Sequence, residues 1–364
     1  MNPIHLYVNY PDKTPCFDTV SQALASLPPA ETAPQSFPCA QEHNITPVTI
    51  HIAPGFYEEQ IVVERPYVTF LGEDAASTVL SYHLGAMEIM PDGSRRGTFR
   101  TASVRIDTHD FTAKNITIQN NAGFGHTVGQ ALALYADGDR LLFEDCRLLS
   151  SQDTLFTAPL PPTAAKAGGF TGPGEHKPRI MGRQFYRRCF IQGDVDFIFG
   201  SATAFFADCT IFSKMPGDRK PPESPDDEVI YGYVTAASTP ESSPFGYVFQ
   251  NCRLTSDCPP HSVYLGRPWR EWAKTVFIDC EMGAHIHPAG WHDWQKPHGH
   301  FYYGEYGSHG EGAARIASEA ASRNTASCNT SAKERAAFSH QLTAEEAALY
   351  TIENVLGAPD GWRP

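Results

Sequence analysis

Five segments of this chain place a cysteine three positions after an aromatic residue: FEDC ending at Cys146, YRRC at Cys189, FADC at Cys209, FQNC at Cys252 and FIDC at Cys280. The intervals between these cysteines are 43, 20, 43 and 28 residues. A local pattern returning after about twenty residues, or after that length plus an insertion, predicts coils of short strands stacked into a parallel β-helix. An earlier segment, FTAKNITIQN, extends the series and puts Asn115 in the cysteine's place. Other segments read as short strands bounded by Gly, Pro, Asn or Asp, among them VTIHIAPG, IVVE, YVTFLG and ASVRI. An antiparallel sandwich offers no reason for the cysteine to return to one place, so the expected class is all-β, a parallel β-helix solenoid. The chain has nine cysteines in all. Five in equivalent positions read as small buried fillers rather than as disulfide partners, which leans the compartment towards a reducing one.

Three segments crowded with Pro, Gly and charge interrupt the coils: 85–97, 157–181 and 213–228. Loops of this kind wall one face of a solenoid and frame a groove. Near the C-terminus, TAEEAALYTIENVLG predicts a helical segment with Thr343 as its cap and Gly357 as its stop. One domain over 1–364 is expected. Apolar residues make up 41% of the chain, enough for a sizeable core, and the net charge of −13 argues against nucleic acid and anionic membrane surfaces as partners. No apolar run approaches the length of a membrane span. The segment MNPIHLYVNYPDKTPCF has no basic patch followed by an apolar stretch. A cytoplasmic location is the expectation, or a secreted one if a native signal lies outside this chain. A monomer is expected.

The stretch IQGDVDFIFG, 191–200, reads as a buried strand yet carries Asp194 and Asp196. Aligning the coils on their cysteines explains one of these. Asp153 falls seven residues after Cys146, Asp196 falls seven after Cys189, and both open the same pattern, DTLF and DFIF. Equivalent positions in successive coils lie about 4.8 Å apart along the sheet. Two carboxylates that close resist joint ionisation, so one keeps its proton and the other loses it, giving an acid and a base from one residue type. Gln152 and Gln130 supply neutral amide donors suited to an oxyanion. In YLGRPWREW, Arg267 can hold a carboxylate ionised and Trp269 can stack on a sugar ring. Five histidines, His285, His287, His292, His298 and His300, lie in HIHPAGWHDWQKPHGH without a ligand spacing typical of zinc, and no metal or cofactor is expected. No phosphate-binding glycine motif and no G-x-S-x-G nucleophile elbow is present.

Together, GQALAL, SSQDTLF, GDVDFIFG and YLGRPW resemble, in order, the four characteristic segments of the pectin methylesterase family. The resemblance runs from VTIHIAPGFYEE to GWHDW, GEYGSHGEGA and LGAPDGWRP. It implies a right-handed parallel β-helix and hydrolysis of galacturonate methyl esters in pectin or its oligomers, without a cofactor. By the same likeness Asp196 would be the nucleophile, Asp153 the general acid and then base, and Gln130 and Gln152 the anion hole. Arg267 would orient Asp196, while Thr98 and Trp269 would contact the sugar chain; Asp194 receives no role. The link NNAGFGHTVGQ and the long segment between Phe156 and Arg183 depart from the family's usual pattern. Alternatives to be separated by experiment are a thioesterase or other carboxylesterase on the same fold, a polygalacturonate-cleaving enzyme and a non-catalytic polysaccharide binder.

Overall fold

The computed structural model describes residues 3–28, 45–217, 229–314 and 334–364. Their strands fall into three parallel sheets of twelve, eight and seven strands, and each central coil adds one strand to each sheet. One coil runs Leu141–Glu144, Arg147–Leu149 and Leu155–Thr157, and the next runs Arg183–Arg187, Phe190–Gly193 and Val195–Gly200. Every pairing between these coils is parallel, as the cysteine spacing requires.

The repeated motif stacks in the interior. The aromatic residues of the five segments lie face to face: Phe143 on Tyr186 at 4.9 Å, Tyr186 on Phe206 at 4.7 Å, Phe206 on Phe249 at 4.4 Å and Phe249 on Phe277 at 4.5 Å between centroids. That repeat is the strand spacing itself. The five cysteines form a second buried column, all free thiols. The Cys189 amide donates to Cys209 Sγ at 3.4 Å, and the thiols donate to backbone carbonyls of their own and neighbouring coils. Burial pushes the Cys146, Cys189, Cys209 and Cys252 thiols well above the usual thiol range, so they are held protonated as apolar fillers.

The register corrects the reading of FTAKNITIQN. Glu144 pairs with Lys114, so Asn115 lies opposite Asp145 and Ile116, not Asn115, occupies the cysteine's place. Asn115 belongs to a different column. Asn115, Asp145, Arg188, Asp208, Asn251 and Asp279 all have φ between 52° and 56°. Each turns the corner out of the twelve-stranded sheet in the left-handed region, which Asn and Asp tolerate best among residues with a side chain.

At the N-terminal end, helix Val20–Ala25 buries Val20 and Ala23 over the first coil, and Thr19 caps it by accepting from the Gln22 amide. The expected C-terminal helical segment is two short helices. Thr343 and Glu346 form a capping box on Ala344–Ala347, and Thr351 caps a second helix, Ile352–Leu356. Val355 and Leu356 pack on the outer face of the twelve-stranded sheet against Phe185, Phe205 and Val248. Arg183 anchors this tail through the carbonyls of Leu356 and Ala358 and the carboxylate of Asp360. Among the described residues no helix is long and apolar enough to cross a membrane.

Candidate active site

The outer face of the seven-stranded sheet carries the candidate site. The expected single strand over 191–200 is two strands, Phe190–Gly193 and Val195–Gly200, with Asp194 at the corner between them. Asp194 is buried, and its Oδ1 accepts the Val195 amide at 2.6 Å at this corner. Asp196 follows, where pairing with Gly232–Ala237 shifts register between Val195 and Ile198. Such a bulge re-aims a side chain out of the regular alternation. Asp153 and Asp196 both adopt left-handed backbone, at φ 64° and 52°.

Leu155 pairs with Ile198, which sets Asp153 opposite Asp196 on adjacent coils, as the spacing from the cysteines predicts. The Asp153 amide donates to the Val195 carbonyl at 3.1 Å. Both carboxyls are buried, and their surroundings separate them. Burial raises Asp153 well above the ordinary carboxyl range, and the Asp196 charge raises it further. Burial raises Asp196 as well, but Arg267 opposes this through a two-pronged ion pair, Nε to Oδ1 at 2.8 Å and Nη2 to Oδ2 at 2.7 Å. The pair titrates as a unit whose one proton rests on Asp153 and whose one charge rests on Asp196.

Arg267 is itself clamped. Its guanidinium carbon lies 3.8 Å from the ring centroid of Tyr233 and 3.8 Å from that of Trp294. Neither ring stands out in the sequence. Tyr233 continues an outward-facing stack with Tyr264, at 5.5 Å and 9°, which is visible only once the coils are in register. Trp294 arrives through two successive left-handed residues, Trp294 and Gln295, at φ 53° and 55°. His292 Nδ1 accepts the Trp294 amide at 3.0 Å, and Asp293 Oδ1 accepts the Gln295 amide at 2.9 Å. The GWHDW segment is conspicuous in the sequence, but its second tryptophan carries no signal of reaching back to Arg267. The histidines of this region serve as packing and turn groups: His287 lies 4.4 Å from the Tyr264 ring and His298 Nε2 lies 3.0 Å from Asp293 Oδ2.

Gln152 directly precedes Asp153, and its carbonyl accepts the Ala131 amide next to Gln130. Among the described residues neither glutamine side chain makes a hydrogen bond, which leaves both amide groups available. A side chain at Gly125 would come within 2.8 Å of Gln152 Oε1, so the short helix Gly125–Val128 presses closely on this amide. The 85–97 loop joins the same neighbourhood: the Ala86 amide donates to the Gln130 carbonyl at 2.9 Å, and the Gly97 amide donates to the Ala86 carbonyl at 3.0 Å. Thr98 begins the turn Thr98–Arg100 that follows. Lys214, at the start of a segment whose residues 218–228 lie outside the described ones, donates to Ser151 Oγ at 3.1 Å beside Gln152.

Trp269 is half-buried, with Phe156, Phe170 and Phe199 set edge-on around it at 6.5, 6.2 and 5.6 Å. Phe156 and Phe199 come from paired strands of the sheet, and Phe170 comes from the 157–181 insertion.

The family model described as Pectinesterase matches residues 16–160 and 179–344. The chain is 34% identical to Pectinesterase QRT1 of Arabidopsis thaliana over 75% of its own length and 64% of the relative's. It is 33% identical to the Pectinesterase of Daucus carota over 82% of this chain and 80% of that one. Among solved structures, the pectin methylesterase PemA from Erwinia chrysanthemi aligns with TM-score 0.71 and 27% identity over 100% of this chain and 99% of that one. A pectin methylesterase in complex with a hexasaccharide aligns with TM-score 0.72 and 26% identity over the full length of both. These likenesses agree with the parallel β-helix. They lend no support to the cytoplasmic expectation.

Proposed function

The chain belongs to the pectinesterase family, and from that premise we propose that it hydrolyses methyl esters of galacturonate residues in pectin or its oligomers, releasing methanol and a free carboxylate. The observation that carries the reading is the stacked pair Asp153 and Asp196, with Arg267 bonded to Asp196. Ionised Asp196 attacks the ester carbonyl carbon at C6, and the uncommitted amides of Gln130 and Gln152 stabilise the tetrahedral oxyanion. Collapse of that intermediate expels methoxide, which takes the Asp153 proton and leaves as methanol. Asp153, now a base, removes a proton from water, whose oxygen attacks the acyl-enzyme and restores Asp196 and the free uronate. Thr98 and Trp269 contact the sugar chain. One domain, acting as a monomer, suffices for this chemistry.

Methanol release from methyl-esterified oligogalacturonides tests the proposal. Asp196→Asn and Asp153→Asn should each lose roughly 10³-fold or more in kcat. Asn tolerates left-handed backbone as Asp does, so both variants keep their corner geometry. Gln152→Ala should lose about 10²-fold in kcat. Wild-type rates in both aspartate variants, or thiol release from an acyl thioester in place of methanol, would overturn the assignment.

A further inference from the structure

Trp294 reaches Arg267 at the end of a bulge, and the bulge is held from inside the solenoid. The chain that follows strand Val263–Gly266 meets it again through two parallel bridges, Ile286 beside Val263 and Trp291 beside Gly266. The strand spans that interval with fewer residues than the returning chain, so 287–290 swell out of the regular pairing. All four of their carbonyls are engaged. Those of His287 and Pro288 accept Arg335 Nη1 at 3.2 and 3.0 Å, that of Ala289 accepts the Ala336 amide at 2.9 Å, and that of Gly290 accepts the Leu265 amide at 2.7 Å. Gly290 has φ 68°, and a side chain there would come within 2.8 Å of Arg335 Cδ, so the arginine stem lies directly on the bulge.

Arg335 is saturated. Its Nε and Nη2 form a two-pronged ion pair with Glu305 Oε1 and Oε2, each at 2.9 Å, and Nη2 also donates to the Gly312 carbonyl at 2.7 Å. With the two bulge carbonyls, every N–H of the guanidinium has an oxygen. Glu305 is 1% exposed and shares the inward side of strand Tyr302–Tyr306 with Tyr303. Its Oε1 also accepts Trp291 Nε1 at 3.1 Å, while the Trp291 indole stacks on Tyr303 at 4.2 Å and 7°. One carboxylate therefore holds both the arginine on the bulge and the tryptophan that closes it. Beyond Trp291, the His292 amide donates to the Gly266 carbonyl at 3.1 Å, one residue before Arg267, and the turn then brings Trp294 to the Arg267 guanidinium. A buried ion pair adds little net stability over apolar residues of like volume, so stability alone does not account for this one.

We propose that Arg335 and Glu305 are positioning residues for the reaction: their ion pair fixes the 287–290 bulge and thereby seats Trp294 against Arg267. The inference rests on the esterase reading above and adds to it a support behind the site. Both residues act through Trp294 and Arg267 rather than on the substrate.

Arg335→Lys tests it in the full chain. Lysine keeps the charge but lacks the planar fork, so it cannot hold Glu305 and the bulge carbonyls together. In methanol release from methyl-esterified oligogalacturonides, kcat should fall about tenfold, the size of a lost cation–aromatic contact, with KM changed by less than about twofold. A slack Trp294 leaves Asp196 protonated to higher pH, so the acidic limb of the kcat profile should move upward. In a Trp294→Leu background, Arg335→Lys should cost less than about twofold more, since both changes act through one contact, whereas independent losses would multiply. Arg183→Lys, in an ion pair whose arginine is equally buried at 10% exposure but holds the C-terminal tail, should leave kcat and the limb unchanged. Glu305→Gln keeps the side-chain shape and is read in the same way if Arg335→Lys does not fold.

A readout independent of turnover is the indole N–H resonance of Trp294 in a proton–nitrogen NMR spectrum. The chain has 5 tryptophans, and this signal is the one missing from Trp294→Leu. It should move in Arg335→Lys and Glu305→Gln and stay in place in Arg183→Lys. An unmoved Trp294 resonance, an unmoved acidic limb or multiplying losses in a folded variant would overturn the proposal. If the parent released no methanol, the esterase reading would fail, and the resonance would still decide whether Arg335 seats Trp294.

Discussion

At the scale of single residues, the question is how one of two equivalent aspartates comes to hold the charge. Sequence position does not distinguish them, because each lies seven residues after its cysteine and opens the same pattern. Arg267 makes the difference, since its two-pronged bond reaches Asp196. That bond is directional only while the guanidinium plane is fixed, and the rings of Tyr233 and Trp294 hold it at 3.8 Å each. A cation held over an aromatic face is worth about 0.5–2 kcal/mol. Trp294→Leu removes one face, so kcat should fall about tenfold with a smaller change in KM. The direction of the accompanying pH effect follows from the charge. A looser Arg267 opposes the rise of Asp196 less, Asp196 keeps its proton to higher pH, and the acidic limb of the kcat profile moves upward. Trp294→Phe, which restores a ring, should recover most of both. A pH–rate profile of the three proteins checks this, and an unmoved acidic limb in Trp294→Leu would remove the clamp from the mechanism.

At the scale of elements, stability resides in columns that run across the coils. The aromatic column from Phe143 to Phe277 has no gap among its five members, and each ring packs on its neighbours at the strand spacing. Phe206, in the middle and fully buried, has a ring on both faces. Phe206→Ala should cost about 3–5 kcal/mol in chemical denaturation, the range for deleting a buried aromatic side chain. Phe56→Ala, at a position 59% exposed, should stay within about 0.5 kcal/mol. These columns are also why the fold and the aspartate pair are legible in the sequence. A coil that returns to the same place imposes the same steric demand each time, and the aromatic–x–x–Cys pattern records it. The same logic misassigns Asn115, because the side chain that follows from a left-handed corner is Asn or Asp, not Cys, and the corner column lies one residue before the cysteine column. Tyr233 and Trp294 stay illegible for a different reason. Their shared partner, Arg267, belongs to a different part of the chain, so no local spacing encodes the contact.

At the scale of the whole molecule, a solenoid contacts itself only through neighbouring coils, so whatever covers its outer faces adds cross-links that the repeat cannot supply. The two short C-terminal helices do this on the twelve-stranded sheet, and the 157–181 insertion does it on the seven-stranded one. The insertion's root lies on a pair of acids. Asp107 and Asp137 are in register on adjacent strands, faced by Arg105 from the sheet, by Lys177 and Arg179 from the insertion, and by the buried hydroxyl of Tyr135. Burial, then the Asp107 charge, pushes Asp137 up to about 6 despite the three cations. In the unfolded chain the same carboxyl loses its proton near the ordinary value of about 4. Between these two pH values the folded state binds more protons than the unfolded state, so stability falls as pH rises through that window and stays lower above it. A rise from about 4 to about 6 corresponds to at most about 3 kcal/mol, less what residual solvent access screens. Asp137→Asn abolishes the ionisation while keeping a similar shape. It should therefore be more stable than the parent at pH 7 by up to that amount, with the gain shrinking to nothing below about pH 4. Denaturant midpoints of the two proteins at pH 4 and pH 7 measure it. A variant less stable than the parent at pH 7 would mean that the Asp137 charge secures Lys177 and Arg179 more than its burial costs, and that the insertion is tied down by a net favourable ion cluster.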